Sequence, residues 1–340
     1  MAVCCCCMAC FCGPCPKPAL ALAWSPAGQL LAVGYGGYGN SPLFPPRDQD
    51  LHVRLWAWSP NGTAPRVLSG LQRQILALTW HPSLYANSAF DQPRLWLTGT
   101  WGTALPFPPV PGYTHPALLP GYQDFATSRD GHWLVTSSGG PPAAALWDIA
   151  EPQHPQLVDL HPAVRYPHQA QFLSNSSTLV LLGAATADTS VGRVWFWDLT
   201  QPDRPLVPLD TQGEDVDTIA VSSTGSWLVG ANVKTGQVRL WDLAHPSQRP
   251  VVLSNSAGNG GNLQFSDNER WLTTPAGQQV LVWDLHQLQS APQVLLGAEQ
   301  RVNSVAFHPN SRYLAGAGEN GVVYIWDLQV PTNALVTLRR

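Results

Sequence analysis

An eight-residue block recurs along the chain without gaps, and it constrains the fold more than any other feature. Each copy ends one apolar strand, turns on Ser, Pro, Asp, Asn or Gly, and starts another strand with an aromatic residue or Leu. The six intact copies are WSPAGQLL (24–31), TSRDGHWL (127–134), FLSNSSTL (172–179), VSSTGSWL (221–228), FSDNERWL (265–272) and FHPNSRYL (307–314). A seventh copy starts at Trp80 and resumes at Leu95 after an insertion. The pattern predicts a β-hairpin, repeated seven times.

A second feature follows each hairpin: an alternating strand that ends in Trp, usually as Trp-Asp. These aromatic anchors are Trp56, Phe107, Trp147, Trp197, Trp241, Trp283 and Trp326. Phe107 is assigned to the second unit because Gly102 stands five residues before it, as Gly236 stands five before Trp241. A further apolar strand follows in six units, at 65–68, 156–160, 205–209, 250–253, 293–296 and 334–338. Each unit therefore has up to four short strands, and the class is all-β.

The spacing and the Trp-Asp signature resemble those of the WD40 repeat family. The resemblance covers about residues 20–340, and 295–327 form the most complete copy. It implies a seven-bladed β-propeller of four-stranded antiparallel blades, as one domain over residues 19–340. Closure is open between two alternatives: blade packing alone, or an extra strand from residues 1–18.

The sequence departs from the family in the buried network that joins a His, an Asp, a Ser or Thr and the Trp of each blade. At the His position the alignable units carry Leu71, Ala163, Gln212, Ser256 and Ala298. At the Asp position only Asp50 remains, with Asn320 as a partial substitute. Because a half-made buried network is worse than none, we expect packing to carry more of the stability.

Charge and hydropathy exclude several functions. Asp, Glu, Lys and Arg make up 12% of the residues, the net charge is −4, and only Lys17 and Lys234 are lysines, so no basic stripe is available for nucleic acid. No apolar run reaches the roughly 18 residues of a membrane span. We expect a cytoplasmic protein with no nucleic-acid partner and no membrane span.

All seven cysteines lie within the first fifteen residues, so no disulfide can join the body of the fold. Residues 1–18 are interpreted as a Cys-rich, unstructured leader. Three alternatives are open for it: palmitoylation of Cys4 to Cys7, metal capture by the thiols, and redox chemistry at Cys12-Gly-Pro-Cys15. The redox reading lacks the strand–helix context that such a pair needs.

No motif for catalysis, cofactor or metal binding stands out, and we predict a protein that is not an enzyme. The aspartates that follow the anchors, Asp148, Asp198, Asp242, Asp284 and Asp327, belong to the repeat and are predicted to be structural. The best candidate for partner binding is the insertion at 35–50, which by family geometry rises on the top rim. Its candidate interface residues are Tyr35, Tyr38, Phe44 and Arg47. The insertions at 83–93 and 108–113 form a weaker candidate on the opposite face.

The resulting hypothesis is a non-catalytic interaction scaffold or sensor module that binds protein partners on the propeller faces. Linkers such as WDLTQPDRPLVPL (197–209) are similar to those of WD40 arrays attached to bacterial signalling NTPases, which implies the sensor part of a larger signalling protein. The alternative is a propeller-type hydrolase or lyase with its site in the central channel.

Overall fold

A computed structural model provides the structure of the protein. It describes residues 18–36, 53–58, 65–68, 75–80, 95–99, 105–107, 124–137, 144–150, 156–158, 166–175, 177–184, 192–211, 213, 215–255, 262–330 and 336–338. Within these residues all regular elements are β-strands, 27 in total.

Six four-stranded antiparallel blades are present, each built from consecutive strands. Blade 1 contains β1 (Ala19–Trp24), β2 (Leu30–Tyr35), β3 (Val53–Ala57) and β4 (Arg66–Leu68). Blade 2 contains β8 (Asp124–Thr127), β9 (Trp133–Ser137), β10 (Ala144–Asp148) and β11 (Gln156–Val158). Blade 3 contains β12 (Tyr166–Phe172), β13 (Thr178–Ala184), β14 (Arg193–Asp198) and β15 (Val207–Pro208).

The C-terminal half of the chain supplies the other three blades. Blade 4 contains β16 (Thr218–Val221), β17 (Trp227–Asn232), β18 (Gln237–Asp242) and β19 (Val251–Asn255). Blade 5 contains β20 (Gln264–Phe265), β21 (Trp271–Ala276), β22 (Gln279–Asp284) and β23 (Gln293–Leu295). Blade 6 contains β24 (Val302–Phe307), β25 (Tyr313–Gly318), β26 (Val323–Asp327) and β27 (Val336–Leu338).

The prediction of seven four-stranded blades is wrong in number. The second sequence unit forms a sheet of only three described strands, β5 (Ile75–Trp80), β6 (Leu95–Gly99) and β7 (Leu105–Phe107), between blades 1 and 2. Pro106 is the middle residue of β7, the last described strand of this sheet. Proline has no N–H to donate to a neighbouring strand.

The register of the hairpins is confirmed in every unit. The first and eighth residues of each block are cross-strand partners, from Trp24 and Leu31 in blade 1 to Phe307 and Leu314 in blade 6. In the three-stranded sheet Trp80 pairs with Leu95, across the insertion. Phe107 in turn pairs with Leu95, as Trp326 pairs with Leu314. The predicted register is therefore confirmed in the second unit as well, where three strands are described.

Packing between neighbouring sheets forms the core, and the anchor tryptophans provide much of it. Trp241, Trp283 and Trp326 are among the largest fully buried side chains, each at the third strand of its blade. Burial of an aromatic side chain removes a large apolar area from water and stabilises the fold. These three anchors are therefore part of the core.

Side chains join the first strands of successive sheets around the ring. In β12, the Gln169 and Gln171 side-chain carbonyls accept the main-chain N–H groups of Ile219 and Val221 at 2.8 and 2.9 Å. These amides thus satisfy backbone groups on the edge strand β16.

Blade 1 meets blade 6 in a seam that side chains cross. The Trp24 indole N–H donates to the Ala306 carbonyl at 3.1 Å, and the Asn303 amide donates to the Ala19 carbonyl at 3.1 Å. The fourth strand of blade 6 is β27, from the C-terminal part of the chain. Within the described residues, packing and side-chain hydrogen bonds hold the seam. Residues 1–17 lie outside the described residues.

Candidate functional site

One face of the propeller carries two turns from each blade, and we call it the hairpin-turn face. It is defined by the turn between the first and second strands and the turn that follows the third strand. In four blades a serine closes the first turn: its hydroxyl oxygen accepts the main-chain N–H five residues later at 2.9–3.0 Å. These serines are Ser25, Ser128, Ser222 and Ser266. The turns are therefore fixed by the side chains that the repeat supplies.

An aspartate follows five of the anchors and closes the second turn of its blade. Its Oδ1 accepts the main-chain N–H two residues later at 2.9–3.0 Å, in Asp148, Asp198, Asp242, Asp284 and Asp327. The structural role predicted for these five residues is confirmed. Hydrogen bonds to the ionised carboxylate also shift its titration: the Thr200 hydroxyl lowers the pKa of Asp198, and the Arg312 guanidinium lowers the pKa of Asp327.

In blade 6 an arginine lies between an aromatic ring and this aspartate. The Arg312 Cζ lies 5.1 Å from the centre of the Tyr313 ring. Its Nε donates to both carboxylate oxygens of Asp327 at 3.0 Å, and its Nη2 donates to Oδ2 at 2.6 Å. The guanidinium is thus stacked and charge-paired at once. Although 43% exposed, the side chain is held in one orientation.

Blade 5 repeats the arrangement. The Arg270 Cζ lies 4.5 Å from the Trp271 ring centre, and Nη2 donates to Asp284 Oδ2 at 2.9 Å. Burial would raise the pKa of Asp284, but the Arg270 hydrogen bond and the His286 main-chain N–H outweigh it and leave the pKa lowered. We call each such triplet an arginine unit. The repeat pattern did not predict either unit. An Arg directly before the aromatic residue of the block is the sequence feature that the two units share.

An aromatic cluster covers the seam on the same face. The His308 ring lies 4.7 Å from Trp24 and 6.0 Å from Tyr313, and Trp58 packs 5.4 Å from Trp24. The His308 Nε2–H donates to the Gly28 carbonyl at 3.0 Å. Gly28 has φ of +70°, and a Cβ there would meet the imidazole at 2.4 Å. The rings contact one another directly, so this cluster is part of the closure and not a pocket.

Neighbouring turns are also hydrogen-bonded to one another across blades. Glu269 of blade 5 accepts the Thr224 main-chain N–H of blade 4 at 2.6 Å, and the Ser223 hydroxyl donates to the Asp267 carbonyl at 2.9 Å. The Ser311 hydroxyl of blade 6 accepts the Asn268 main-chain N–H at 3.1 Å. These contacts make the turns of blades 4 to 6 a continuous, preorganised surface.

The structure places the predicted interface residues differently. Tyr35 ends β2 with 0% of its surface exposed, beneath the Arg54 guanidinium at 5.5 Å, so it belongs to the core and not to an exposed loop surface. Tyr38, Phe44 and Arg47 lie outside the described residues, as do the insertions at 83–93 and 108–113. Partner binding by those residues stays a prediction.

The buried family network is reduced in the way that the sequence indicates. Within the described residues, the indole N–H groups of Trp56, Trp241 and Trp283 have no hydrogen-bond partner, and neither has the Thr274 hydroxyl of blade 5. Blade 6 keeps a smaller substitute. There the Asn320 amide and the Glu299 main-chain N–H both donate to the Tyr324 hydroxyl, at 3.0 and 3.1 Å.

In the described part of the chain, no group of three or more His, Cys, Asp or Glu side chains is placed to hold a metal ion. The same part of the chain contains no helix that is long and apolar enough to span a membrane.

Comparison with known proteins adds one match. Residues 290–327, which cover β23 to β26, match the WD40 family model described as WD domain, G-beta repeat. This match covers one repeat of the chain, and the four-stranded antiparallel blades are those of a β-propeller. No curated protein matches the chain.

Proposed function

We propose that this protein is a non-catalytic scaffold that binds protein partners on the faces of its propeller. WD40 propellers are typically protein-interaction scaffolds and are generally non-catalytic. The observation that carries the proposal is the hairpin-turn face, where guanidinium groups and aromatic rings are partly exposed yet held by neighbouring turns. Arg, Trp and Tyr are the residue types that dominate binding energy at protein interfaces. Because these side chains are already ordered, a partner would lose little conformational entropy on binding them.

The finer form of the proposal comes from the sequence alone. The linker resemblance favours the sensor part of a larger signalling protein, in the cytoplasm, and the insertion at 35–50 is the second candidate face through Tyr38, Phe44 and Arg47. Tyr35 is buried and contributes no exposed surface. No described residue gives a specific reason to favour the alternative of an enzyme with its site in the central channel.

Affinity capture from host lysate with three versions of the chain tests the proposal. The versions are the full chain, a chain whose residues 37–50 are replaced by a short Gly turn, and a chain with Arg270→Ala and Arg312→Ala. We expect a partner that is held in fixed proportion by the full chain and lost by one of the two variants, which also identifies the face. Equal circular dichroism spectra confirm that both variants fold.

Two results would count against an interaction scaffold. One is the absence of any saturable partner, and the other is turnover of a small-molecule substrate by the purified full chain. A partner retained equally by both variants would refute the assignment to these two faces.

A further inference from the structure

The arginine units in blades 5 and 6 can be compared with the equivalent positions in the other blades. In both, the aromatic residue is the direct cross-strand partner of the aspartate: Trp271 of Asp284, and Tyr313 of Asp327. The arginine precedes the aromatic residue, stacks on its ring and bonds to the carboxylate. We call the aromatic residue and its cross-strand aspartate a frame. The chain thus shows twice how such a frame binds a guanidinium group.

Blades 2 and 4 have the same frame without the arginine. Trp133 is the cross-strand partner of Asp148, and Trp227 is that of Asp242. At the position of the arginine stand His132 and Ser226.

The equivalence of the four frames extends to their backbone. In each, the N–H of the residue after the aspartate donates to the carbonyl of the residue before the aromatic ring. These bonds run from Ile149 to His132, Leu243 to Ser226, Leu285 to Arg270 and Leu328 to Arg312, at 2.7–2.9 Å. In each, the aspartate Oδ1 also accepts the N–H two residues later. The backbone therefore places the aromatic residue and the aspartate in the same arrangement in all four blades.

Ring exposure is similar in three of the four frames. Trp271, beneath Arg270, is 8% exposed, whereas Tyr313, Trp133 and Trp227 are all partly exposed. Among the described residues, the Asp148 carboxylate has one hydrogen bond, from the Ala150 main-chain N–H at 2.9 Å. The Asp242 Oδ2 is shared with the exposed His245 ring at 3.0 Å. Blade 2 is thus the more open frame, and blade 4 is partly satisfied by a histidine.

We propose that the Trp133–Asp148 frame, and secondarily the Trp227–Asp242 frame, bind arginine side chains of a partner protein. A guanidinium is planar, stacks on an indole face and donates several hydrogen bonds to one carboxylate, as Arg270 and Arg312 do within the chain. A lysine ammonium lacks the planar fork and would bind less well. The inference deepens the proposed function by naming the chemistry of the partner, and its test needs no captured partner, so either can fail alone.

The charge of the hairpin-turn face suits a basic partner. Its described turns contain nine carboxylates, an excess of four over their five arginines. The carboxylates are Asp130, Asp148, Asp198, Asp203, Asp242, Asp267, Glu269, Asp284 and Asp327, and the arginines are Arg129, Arg204, Arg249, Arg270 and Arg312. This excess attracts a cationic segment towards the face.

The test uses the purified full chain and a peptide of sequence Gly-Arg-Gly-Arg-Gly with blocked ends. Ligand-observed NMR measures its binding against matched peptides in which lysine or citrulline replaces arginine. The decisive variant fills both frames from within the chain, by His132→Arg with Ser226→Arg. We expect the arginine peptide to bind the natural chain in preference to both analogues, and the filled variant to lose binding by about tenfold or more.

Matched controls make the result specific. Asp148→Asn keeps the oxygen that accepts the Ala150 N–H but removes the charge, and we expect weaker binding. Asp198→Asn removes a charge in blade 3, where Thr178 and not an aromatic ring stands opposite, and we expect unchanged binding. If the filled variant fails to fold, Asp148→Asn with Asp242→Asn serves in its place. Absence of binding to the natural chain, or full binding by the filled or doubly neutralised variant, would overturn the proposal.

Discussion

We predict opposite effects on stability when the same substitution is made at two adjacent threonines in β21. Thr273 and Thr274 are both fully buried. The Thr273 hydroxyl donates to the Leu281 carbonyl at 2.9 Å, whereas the Thr274 hydroxyl has no partner in the described residues. Since Val and Thr have nearly the same shape, Thr→Val at each position removes the hydroxyl with little change in packing.

The magnitudes follow from the cost of burying an unpaired polar group. An unsatisfied buried hydroxyl costs about 1–3 kcal/mol, and a made hydrogen bond contributes about 1 kcal/mol. We therefore expect Thr274→Val to raise the free energy of unfolding by about 1 kcal/mol, and Thr273→Val to lower it by about 1 kcal/mol. The nearby Trp283 indole N–H, also without a described partner, is left unchanged by both substitutions.

Urea unfolding followed by tryptophan fluorescence measures the difference. With an unchanged dependence on urea, the midpoint should move upwards for Thr274→Val and downwards for Thr273→Val. Equal destabilisation by both substitutions would refute the reasoning, because it would mean that the Thr274 hydroxyl is as well bonded as that of Thr273.

Three further predictions concern the stability of the fold. Gly316→Ala should destabilise the chain by about 1–3 kcal/mol in the same assay, because a Cβ would meet the Trp326 ring at 2.6 Å; an unchanged midpoint would contradict this. Gln171→Leu should cost about 1–3 kcal/mol by leaving the Val221 N–H unpaired, and a loss below about 0.5 kcal/mol would contradict this. Because the pKa of Asp327 is lowered in the fold, its contribution is present above the unfolded pKa of about 4 and is lost as pH falls through the lowered value. Asp327→Asn should therefore lower the free energy of unfolding at neutral pH and make it decrease less between about pH 5 and 2 than in the natural chain. Parallel plots of the free energy of unfolding against pH for the two chains would refute this.

The sequence predicted the local structure of the units well, because hairpins depend on residues close together in the chain. Block positions one and eight pair as expected, and even Phe107 takes the register of an anchor. The turn aspartates were also predicted, since a residue required by five copies had to serve the repeat. The number of four-stranded blades was wrong because one unit was assumed to match the others.

Contacts between blades could not be read in the same way. That Gln169 and Gln171 satisfy the edge of β16 depends on residues about 50 positions away. The stacking of Arg312 on Tyr313 depends on a carboxylate 15 positions away. Tyr35 was assigned to an exposed insertion because the end of β2 cannot be located from its Gly-rich continuation alone. Periodicity does not report such distant partners.

The seam between β1 and β24 has a consequence for how fast the protein folds and unfolds. Each blade is built from consecutive strands, so its contacts are local and can form early. The seam bonds from Trp24 to Ala306 and from Asn303 to Ala19 join residues 282 and 284 positions apart, so among the described contacts the seam bears the largest loop-closure entropy. We expect closure to follow formation of the blades, and Trp24→Phe to speed unfolding while leaving the refolding rate nearly unchanged. Stopped-flow kinetics that show slower refolding instead would place the seam in the folding nucleus. We therefore expect a few side chains at one seam to govern the lifetime of the closed ring, and the repeats to govern its rate of formation.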